Sequence, residues 1–247
     1  MPHRRGSICA SVLHARDVER AVAFYTALFG WSATAVTADD SLRFFLSDGQ
    51  IVAAALESSS LEEWVPHVSV EDVDRTLDAA SVLGGTLVER GDVSGQARLA
   101  VLRDTEGARF GLWQPSPTEG MERTEGVGSL WWAEILSDDP PRAKQFYASL
   151  FGWRTRETAF EPFTAYTVFE RDGTQEGGVL PIGRDWGVTP HWTSIFEVAD
   201  CDGTLTRACD LGGSAGFVHT VPKHGRIGSL IDPAGTWCWL RGPGKHL

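Results

Sequence analysis

No stretch of apolar residues in this chain approaches the ~18 needed to cross a bilayer, and its start, MPHRRGSICASVLH, has neither the apolar core nor the small-residue cleavage site of a signal peptide. A cytoplasmic protein with no membrane partner is expected. Basic character is equally scarce: 22 Lys and Arg face 33 Asp and Glu, the formal charge is −11, and no basic run interrupts the acidic background. That balance excludes a phosphate-binding surface and with it a nucleic-acid partner. The four cysteines, Cys9, Cys201, Cys209 and Cys238, form no CxxC pair and share no repeated spacing with histidine. Neither a zinc site nor a disulfide frame is indicated, and free, mostly buried thiols are expected. There is no nucleophile elbow, phosphate loop or dinucleotide fingerprint, because the Gly-Gly pairs end helical segments instead of opening them. No nucleotide cofactor is expected.

What the chain does have is a second copy of itself. AVAFYTALFGW, Ala21 to Trp31, returns as AKQFYASLFGW, Ala143 to Trp153, with seven of eleven positions identical and a shift of 122 residues in a chain of 247. Two domains follow, residues 1–120 and 121–247, with the boundary near Gly120 inside the Pro-, Gly- and Glu-rich stretch Pro115 to Gly128. In each copy Ala21, Phe24, Tyr25 and Leu28, or Ala143, Phe146, Tyr147 and Leu150, recur at i, i+3, i+4 and i+7 and form one apolar helical stripe. Asp17 and Asp139 are placed as N-caps, Pro140 supplies the fixed φ favoured in a first turn, and Gly30 and Gly152 stand at the C-caps. The aromatics of the repeat read as packing residues.

Around each helix the pattern is that of strands. Ser7 to His14 and Leu130 to Leu136 precede the two copies, and Leu42 to Leu56 and Thr164 to Ile182 follow them as hairpins turning at Asp48-Gly49 and Asp172-Gly173. The same plan then recurs within each half. His67 to Gly85 and Ile195 to Gly213 each give a short strand, an Asp cap and a helix stopped by Gly-Gly, and Arg98 to Trp113 and Arg226 to Leu240 each give two strands around a D-x-x-G turn. The fold class is α+β, built from four tandem βαβββ modules.

Four such modules, with FYxxLFGW after the first strand of each half, D-V-D or D-C-D opening the next helix, Gly-Gly ending it and D-x-x-G near the close, resemble the vicinal oxygen chelate superfamily of glyoxalases, extradiol dioxygenases, fosfomycin-inactivating enzymes and bleomycin-resistance proteins. The resemblance covers nearly the whole chain. It implies two glyoxalase-like domains, in which paired modules curve around a site, and a divalent metal held by His, Gln or Glu on first strands and by Glu on last strands. Counted from the helix caps, the first-strand positions fall on Ala10, Val65, Trp132 and Thr193; counted from the D-x-x-G turns, the last-strand positions fall on Gly111 and Trp239. None is a useful ligand, so no metal is expected.

Strand alternation shows what shares a face with those positions. Val12 and His14 lie beside Ala10, His67 and Ser69 beside Val65, Glu134 beside Trp132, and Ile195 and Glu197 beside Thr193. Glu134, near tryptophans, is a candidate general acid or base, or else accepts a structural hydrogen bond; His14 and His67 are candidates for an acid–base pair or a weak metal site, or else structural groups. Arg98 and Arg226 begin matching strands and either clamp an anionic ligand or pair with local acids. His219, Lys223 and His224 rim a second site or form a solvated loop. Ten tryptophans, seven in the second half, put indoles at Trp132 and Trp239, where they either stack on a planar ligand or plug the site. The leading reading is a metal-independent, cofactor-free binder of a small hydrophobic or planar aromatic molecule, of the drug-sequestering kind, using Trp132, Trp239, Thr193, Glu197 and Arg226 and acting as a monomer or homodimer. Its rival is an acid–base lyase, isomerase or cyclase with Glu134 as base. A third reading, a metal-dependent glyoxalase or dioxygenase, requires a different strand register.

Overall fold

Each module begins with a strand, caps a helix with aspartate and closes with three more strands. A computed structural model of the chain describes residues 3–36, 41–93, 95, 97–160, 163–183 and 185–243. The first module comprises β1 (Ile8–Ala15), α1 (Val18–Phe29), β2 (Ser32–Ala35), β3 (Leu42–Ser47) and β4 (Gln50–Glu57); the second comprises β5 (Glu63–Ser69), α2 (Val73–Val82), β6 (Thr86–Val93), β7 (Ala97–Arg103) and β8 (Arg109–Pro115). The third comprises β9 (Leu130–Ser137), α3 (Pro140–Phe151), β10 (Arg154–Phe160), β11 (Phe163–Arg171) and β12 (Thr174–Pro181); the fourth comprises β13 (His191–Glu197), α4 (Cys201–Asp210), β14 (Ser214–Val221), β15 (Gly225–Ile231) and β16 (Trp237–Gly242). The expected caps are all present: the carboxylates of Asp17, Asp72, Asp139 and Asp200 accept from backbone N–H groups three residues on, at 2.9, 3.0, 3.3 and 3.1 Å. Asp48-Gly49 and Asp172-Gly173 take positive φ at both central residues, the conformation that a two-residue hairpin requires.

The strands form two eight-stranded sheets, in the orders β2-β3-β4-β1-β5-β8-β7-β6 and β10-β11-β12-β9-β13-β16-β15-β14, so each half of the sequence supplies one sheet. By packing, the chain divides into two compact units that each take one module from either half. The first unit is Met1–Cys9, Val65–Gly120 and Ala133–Thr193, and the second is Ala10–Trp64, Met121–Trp132 and Ser194–Leu247.

The repeated motif explains this partition. In the first unit the Phe146 ring lies against Gly85, where an added Cβ would meet it at 3.2 Å, and Tyr147 Oη donates to Asp104 Oδ2 of the D-x-x-G turn at 2.8 Å while accepting from Trp192 Nε1 at 2.7 Å. Trp153 Nε1 donates to the Gly6 carbonyl at 2.6 Å. The second unit repeats each contact: Phe24 lies against Gly213, Tyr25 Oη donates to Asp232 at 3.1 Å and accepts from Trp64 Nε1 at 2.9 Å, and Trp31 Nε1 donates to the Gly128 carbonyl at 3.0 Å. The Gly-Gly pairs therefore have two distinct tasks. Gly84 and Gly212 take φ of 92° and 90° to turn the chain out of the helix, and Gly85 and Gly213 leave room for the phenylalanine. All four expected stripe residues of α1 are buried; in α3 Leu150 is only partly buried and Phe151 takes its place. In the first unit's core, Ile8, Pro66, Val68, Phe110, Tyr147, Trp153 and Trp192 close up without room for a water molecule. Among the described residues no helix is long and apolar enough to cross a membrane.

Candidate functional site

In the first unit, strand register places Glu134 of β9 beside Gly178 of β12, and Gly178 beside Val168 of β11. Glycine at 178 allows a close approach: a Cβ there would stand 1.9 Å from the Tyr166 hydroxyl oxygen, so the phenol ring lies across the strand where a side chain would otherwise be. Tyr166 Oη thereby donates to Glu134 Oε2 at 2.7 Å. Leu136 and Leu180 are the next aligned pair on the same face, and together with Val168 and Tyr166 they are buried. Glu134 as a whole residue is half-buried. Burial lifts its carboxyl from 4.5 to about 7, and the Tyr166 hydrogen bond pulls the other way.

His67 and Thr193 belong to the same unit. The His67 ring is fully buried over Gly111, where a Cβ would be 2.1 Å from ring Cδ2, and its Nδ1 lies 2.9 Å from the Val65 carbonyl. The ring fills the space through which a carboxylate side chain at position 111 would have to pass. Thr193 is buried, and among the described residues its Oγ1 has no hydrogen-bond partner. Arg98 is held by Asp74, at 2.7 Å, in the first turn of α2.

In the second unit, Glu197 of β13 is aligned with Arg241 of β16, and the two form an ion pair at 2.8 Å with side chains 21% and 22% exposed. A second bond, Arg241 Nε to the His224 carbonyl at 2.7 Å, fixes the guanidinium over the Trp131 ring, 5.3 Å from its centroid. Trp131 in turn lies 6.3 Å from the rings of Trp132 and His224. One step back along β16, Trp239 is aligned with Ile195 and Ser229 and stands 6.0 Å from the Phe217 ring, whose backbone N–H donates to Ser229 Oγ at 2.8 Å. Trp237, Trp239 and Arg241 share a face opposite the wholly buried Cys238 and Leu240, and Phe217 and Trp237 are 54% and 50% exposed. This is an accessible aromatic face with a fixed cation.

Two other candidates in this unit sit elsewhere. His14 is buried beside Leu56, and burial lowers it to about 4, so it is neutral at pH 7. Arg226 donates to Asp202 at 3.0 Å and to Thr220 Oγ1 at 3.2 Å, which is the local-acid pairing and matches Arg98 in the first unit. His14 and His67, candidates for an acid–base pair or a weak metal site or else structural groups, fall in different units. Three groups were not singled out from the sequence: Tyr166, Arg241 and Phe217. A signal for the first was Gly178, since glycine inside a strand marks a close approach, and one for the second was its place two residues after Trp239.

A family description, "Glyoxalase-like domain", matches residues 10–113. Over 239 residues the chain is 32% identical to the anthracycline biosynthesis protein DauV of Streptomyces sp. (strain C5), covering 89% of this chain and 86% of that one. The chain belongs to the vicinal oxygen chelate superfamily. The anthracycline biosynthesis protein DnrV of Streptomyces peucetius is likewise 32% identical, with the same coverage. Solved members of the superfamily share the fold: the Mn(II)-bound glyoxalase from Novosphingobium aromaticivorans matches with a TM-score of 0.65 at 12% identity, over 98% of this chain and 83% of that one. The 2,2',3-trihydroxybiphenyl 1,2-dioxygenase of Sphingomonas wittichii matches with a TM-score of 0.63 at 12% identity, over 97% and 91%. The metal that the superfamily implies does not fit the residues present. Ala10, Val65, Gly111, Trp132, Thr193 and Trp239 offer one hydroxyl among them, the His67 ring crowds position 111, and among the described residues no three His, Cys, Asp or Glu are grouped to hold an ion.

Proposed function

We propose that the chain binds a planar, mainly apolar small molecule without a metal, on the aromatic face of its second unit. The reading is of a cytoplasmic sequestering protein, monomer or homodimer. The observation that carries it is the arrangement of Arg241, fixed over Trp131 by Glu197 and His224, beside the half-buried Trp239 and the exposed Phe217. Aromatic surface of this kind stacks on fused rings, each pair contributing roughly 0.5–1.5 kcal/mol beyond area burial. The pinned guanidinium orients an oxygen substituent without losing rotamer freedom on binding. Two relatives bear names from the biosynthesis of anthracyclines, which are fused-ring aromatics, the class of ligand this face suits.

A hydroxylated anthraquinone, titrated against tryptophan fluorescence, tests the reading. Quenching should saturate, Trp239→Ala should weaken binding by about tenfold or more, the equivalent of ~1.4 kcal/mol, and prior treatment with a chelator should leave the affinity unchanged. Equal affinities for wild type and Trp239→Ala would refute the site, and loss of binding on chelation would refute metal independence.

A further inference from the structure

The first unit holds a second polar constellation that stacking on the aromatic face does not use. Glu134 is a carboxyl on an apolar strand face, and its cost is evident: an aliphatic residue among Leu136, Leu180 and Val168 would need no hydrogen-bond partner. Two features of the chain accommodate it. Gly178 gives up its side chain so that the Tyr166 ring can cross the strand, and the Tyr166 hydroxyl then meets Oε2 at 2.7 Å. The other oxygen, Oε1, receives no hydrogen bond from any described residue, and Glu134 keeps part of its surface in solvent. Oε1 is therefore left to water or to a bound ligand. The carboxyl is fixed through one oxygen and presents the other.

We infer that Glu134 and Tyr166 form a proton-transfer site acting on apolar carbonyl compounds whose α C–H lies between the carbonyl and a carbon–carbon double bond. The chemistry of the pair selects that class. Glu134 is partly ionised at neutral pH, where a general base is most effective, because burial raises it and Tyr166 partly restores it. Among the described residues those two influences set its titration; Glu176, two residues before Gly178 on β12, accepts from Ser7 Oγ and the Ile8 N–H, and Arg156 of β10, aligned with Val168, is occupied by Glu170 at 2.6 Å. Tyr166 offers a phenolic O–H, a donor suited to an enolate whose charge is already delocalised and weak for the enolate of a simple ketone. The walls are aliphatic, which favours an uncharged substrate.

The step balances without an added oxidant or reductant. Glu134 Oε1 takes the α-proton, the C–H electron pair becomes a double bond from the α-carbon to the carbonyl carbon, and the carbonyl π pair moves to oxygen, giving a dienolate that keeps the β,γ double bond until the γ-carbon is protonated. As Glu134 becomes a neutral acid it no longer needs the phenol's hydrogen bond, and the Tyr166 hydroxyl turns to the enolate oxygen. Glu134 then returns the proton to the γ-carbon, leaving the conjugated enone and the original carboxylate.

A β,γ-unsaturated cyclohexenone is the probe, with the ultraviolet absorbance of its conjugated isomer as the readout. Wild type should isomerise it faster than buffer, with kcat/KM rising through a midpoint near pH 7. Glu134→Gln should lower the rate about 10²-fold or more, and Tyr166→Phe should lower it less and move the midpoint upward, because the hydrogen bond that favours the carboxylate is gone. If Glu134→Gln does not fold, Glu134→Asp, which retracts the carboxyl by one methylene, should show the same loss. Anthraquinone binding on the second unit should survive in every one of these variants, which separates this site from that one. Wild-type rates equal to buffer, a Glu134→Gln rate no lower than that of Trp239→Ala, or a carboxyl resonance of Glu134 that titrates near 4.5 would each overturn the inference.

Discussion

Replacing Glu134 by glutamine should make the protein more stable at neutral pH and leave that advantage absent in acid. The folded chain holds the Glu134 proton more tightly than the unfolded chain, with the carboxyl at about 7 in place of 4.5. At about 1.36 kcal/mol per pH unit, that difference amounts to on the order of 3 kcal/mol, an upper bound because the residue keeps some contact with water. The sign follows from proton linkage. Below pH 4.5 both states carry the proton and Glu134 costs nothing through titration. Between 4.5 and 7 the unfolded state ionises first, so wild-type stability falls as pH rises, and above 7 the penalty is constant. The amide of Glu134→Gln does not titrate, yet its side-chain oxygen still accepts from Tyr166. Urea unfolding of both proteins at pH 4, 5.5 and 8, with equal slopes, should show the variant gaining on wild type across that window. A difference that stays flat from pH 4 to 8, or that shrinks as pH rises, would refute the reasoning.

Other perturbations test the frame around the sites. Phe146→Ala and Phe24→Ala empty the slots over Gly85 and Gly213 and should each cost about 3–5 kcal/mol in chemical unfolding; losses below about 1 kcal/mol at both would mean that the stripe is not core. Gly213→Ala puts a methyl 2.6 Å from the Ile231 carbonyl and 3.2 Å from the Phe24 ring, so it should cost about 1–3 kcal/mol by overpacking, whereas Gly30→Ala meets nothing within 4 Å and should cost only the ~1–2 kcal/mol of a left-handed backbone. His14→Gln should flatten stability between pH 6.5 and 4. In wild type the folded state resists protonation down to about 4, so stability is lost as pH falls through that window.

Elements were legible in the sequence wherever a local rule decides them. Asp caps, the Asp-Gly hairpins and the helical stripe all express short-range chemistry, and the structure has each at the expected residue, save that Phe151 displaces Leu150 in the second stripe. The partners of that stripe were not legible. Tyr25 and Tyr147 read as packing residues, yet their hydroxyls find Asp232 and Asp104, residues 207 and 43 positions away. Periodicity reports which face is apolar, and it is silent about what covers that face. The candidate sites divide in the same way. Glu134 and Trp239 stood out because alternation sets strand faces, but Tyr166 reaches Glu134 from another strand across a missing side chain, and that depends on register between strands. Arg226 shows the converse: its position on β15 is as read, and of the two readings the sequence left open, pairing with a local acid is the one present, with Asp202 at the start of α4.

The duplication has a physical consequence beyond repetition. In the second unit, α1 comes from the first half of the sequence, while Gly213, which receives Phe24, and Asp232, which receives Tyr25, come from the second half. The first unit mirrors this, with α3 from the second half and Gly85 and Asp104 from the first. A single half therefore keeps the contact of its helix tyrosine with Trp64 or Trp192, but its stripe lacks the Gly-Gly slot and the turn aspartate it meets in the folded chain, and its own slot and aspartate have nothing to receive. Each deficit is large on the scale of folding free energies: an empty phenylalanine slot alone costs about 3–5 kcal/mol, against a typical total of roughly 5–15. The Phe-Tyr of FYxxLFGW and the Gly-Gly and D-x-x-G are thus constrained together because they meet as partners. The sheet faces turned away from those helices are under no such constraint, and they are where the halves differ: His67 over Gly111 has no counterpart in the Trp239 and Phe217 pair, and where Glu134 stands beside Gly178 the first half's sheet has Val12 beside Ala54. Divergence on those faces could set indoles at metal-ligand positions, and a phenol and a raised carboxyl at others, without disturbing a single contact of the repeated motif.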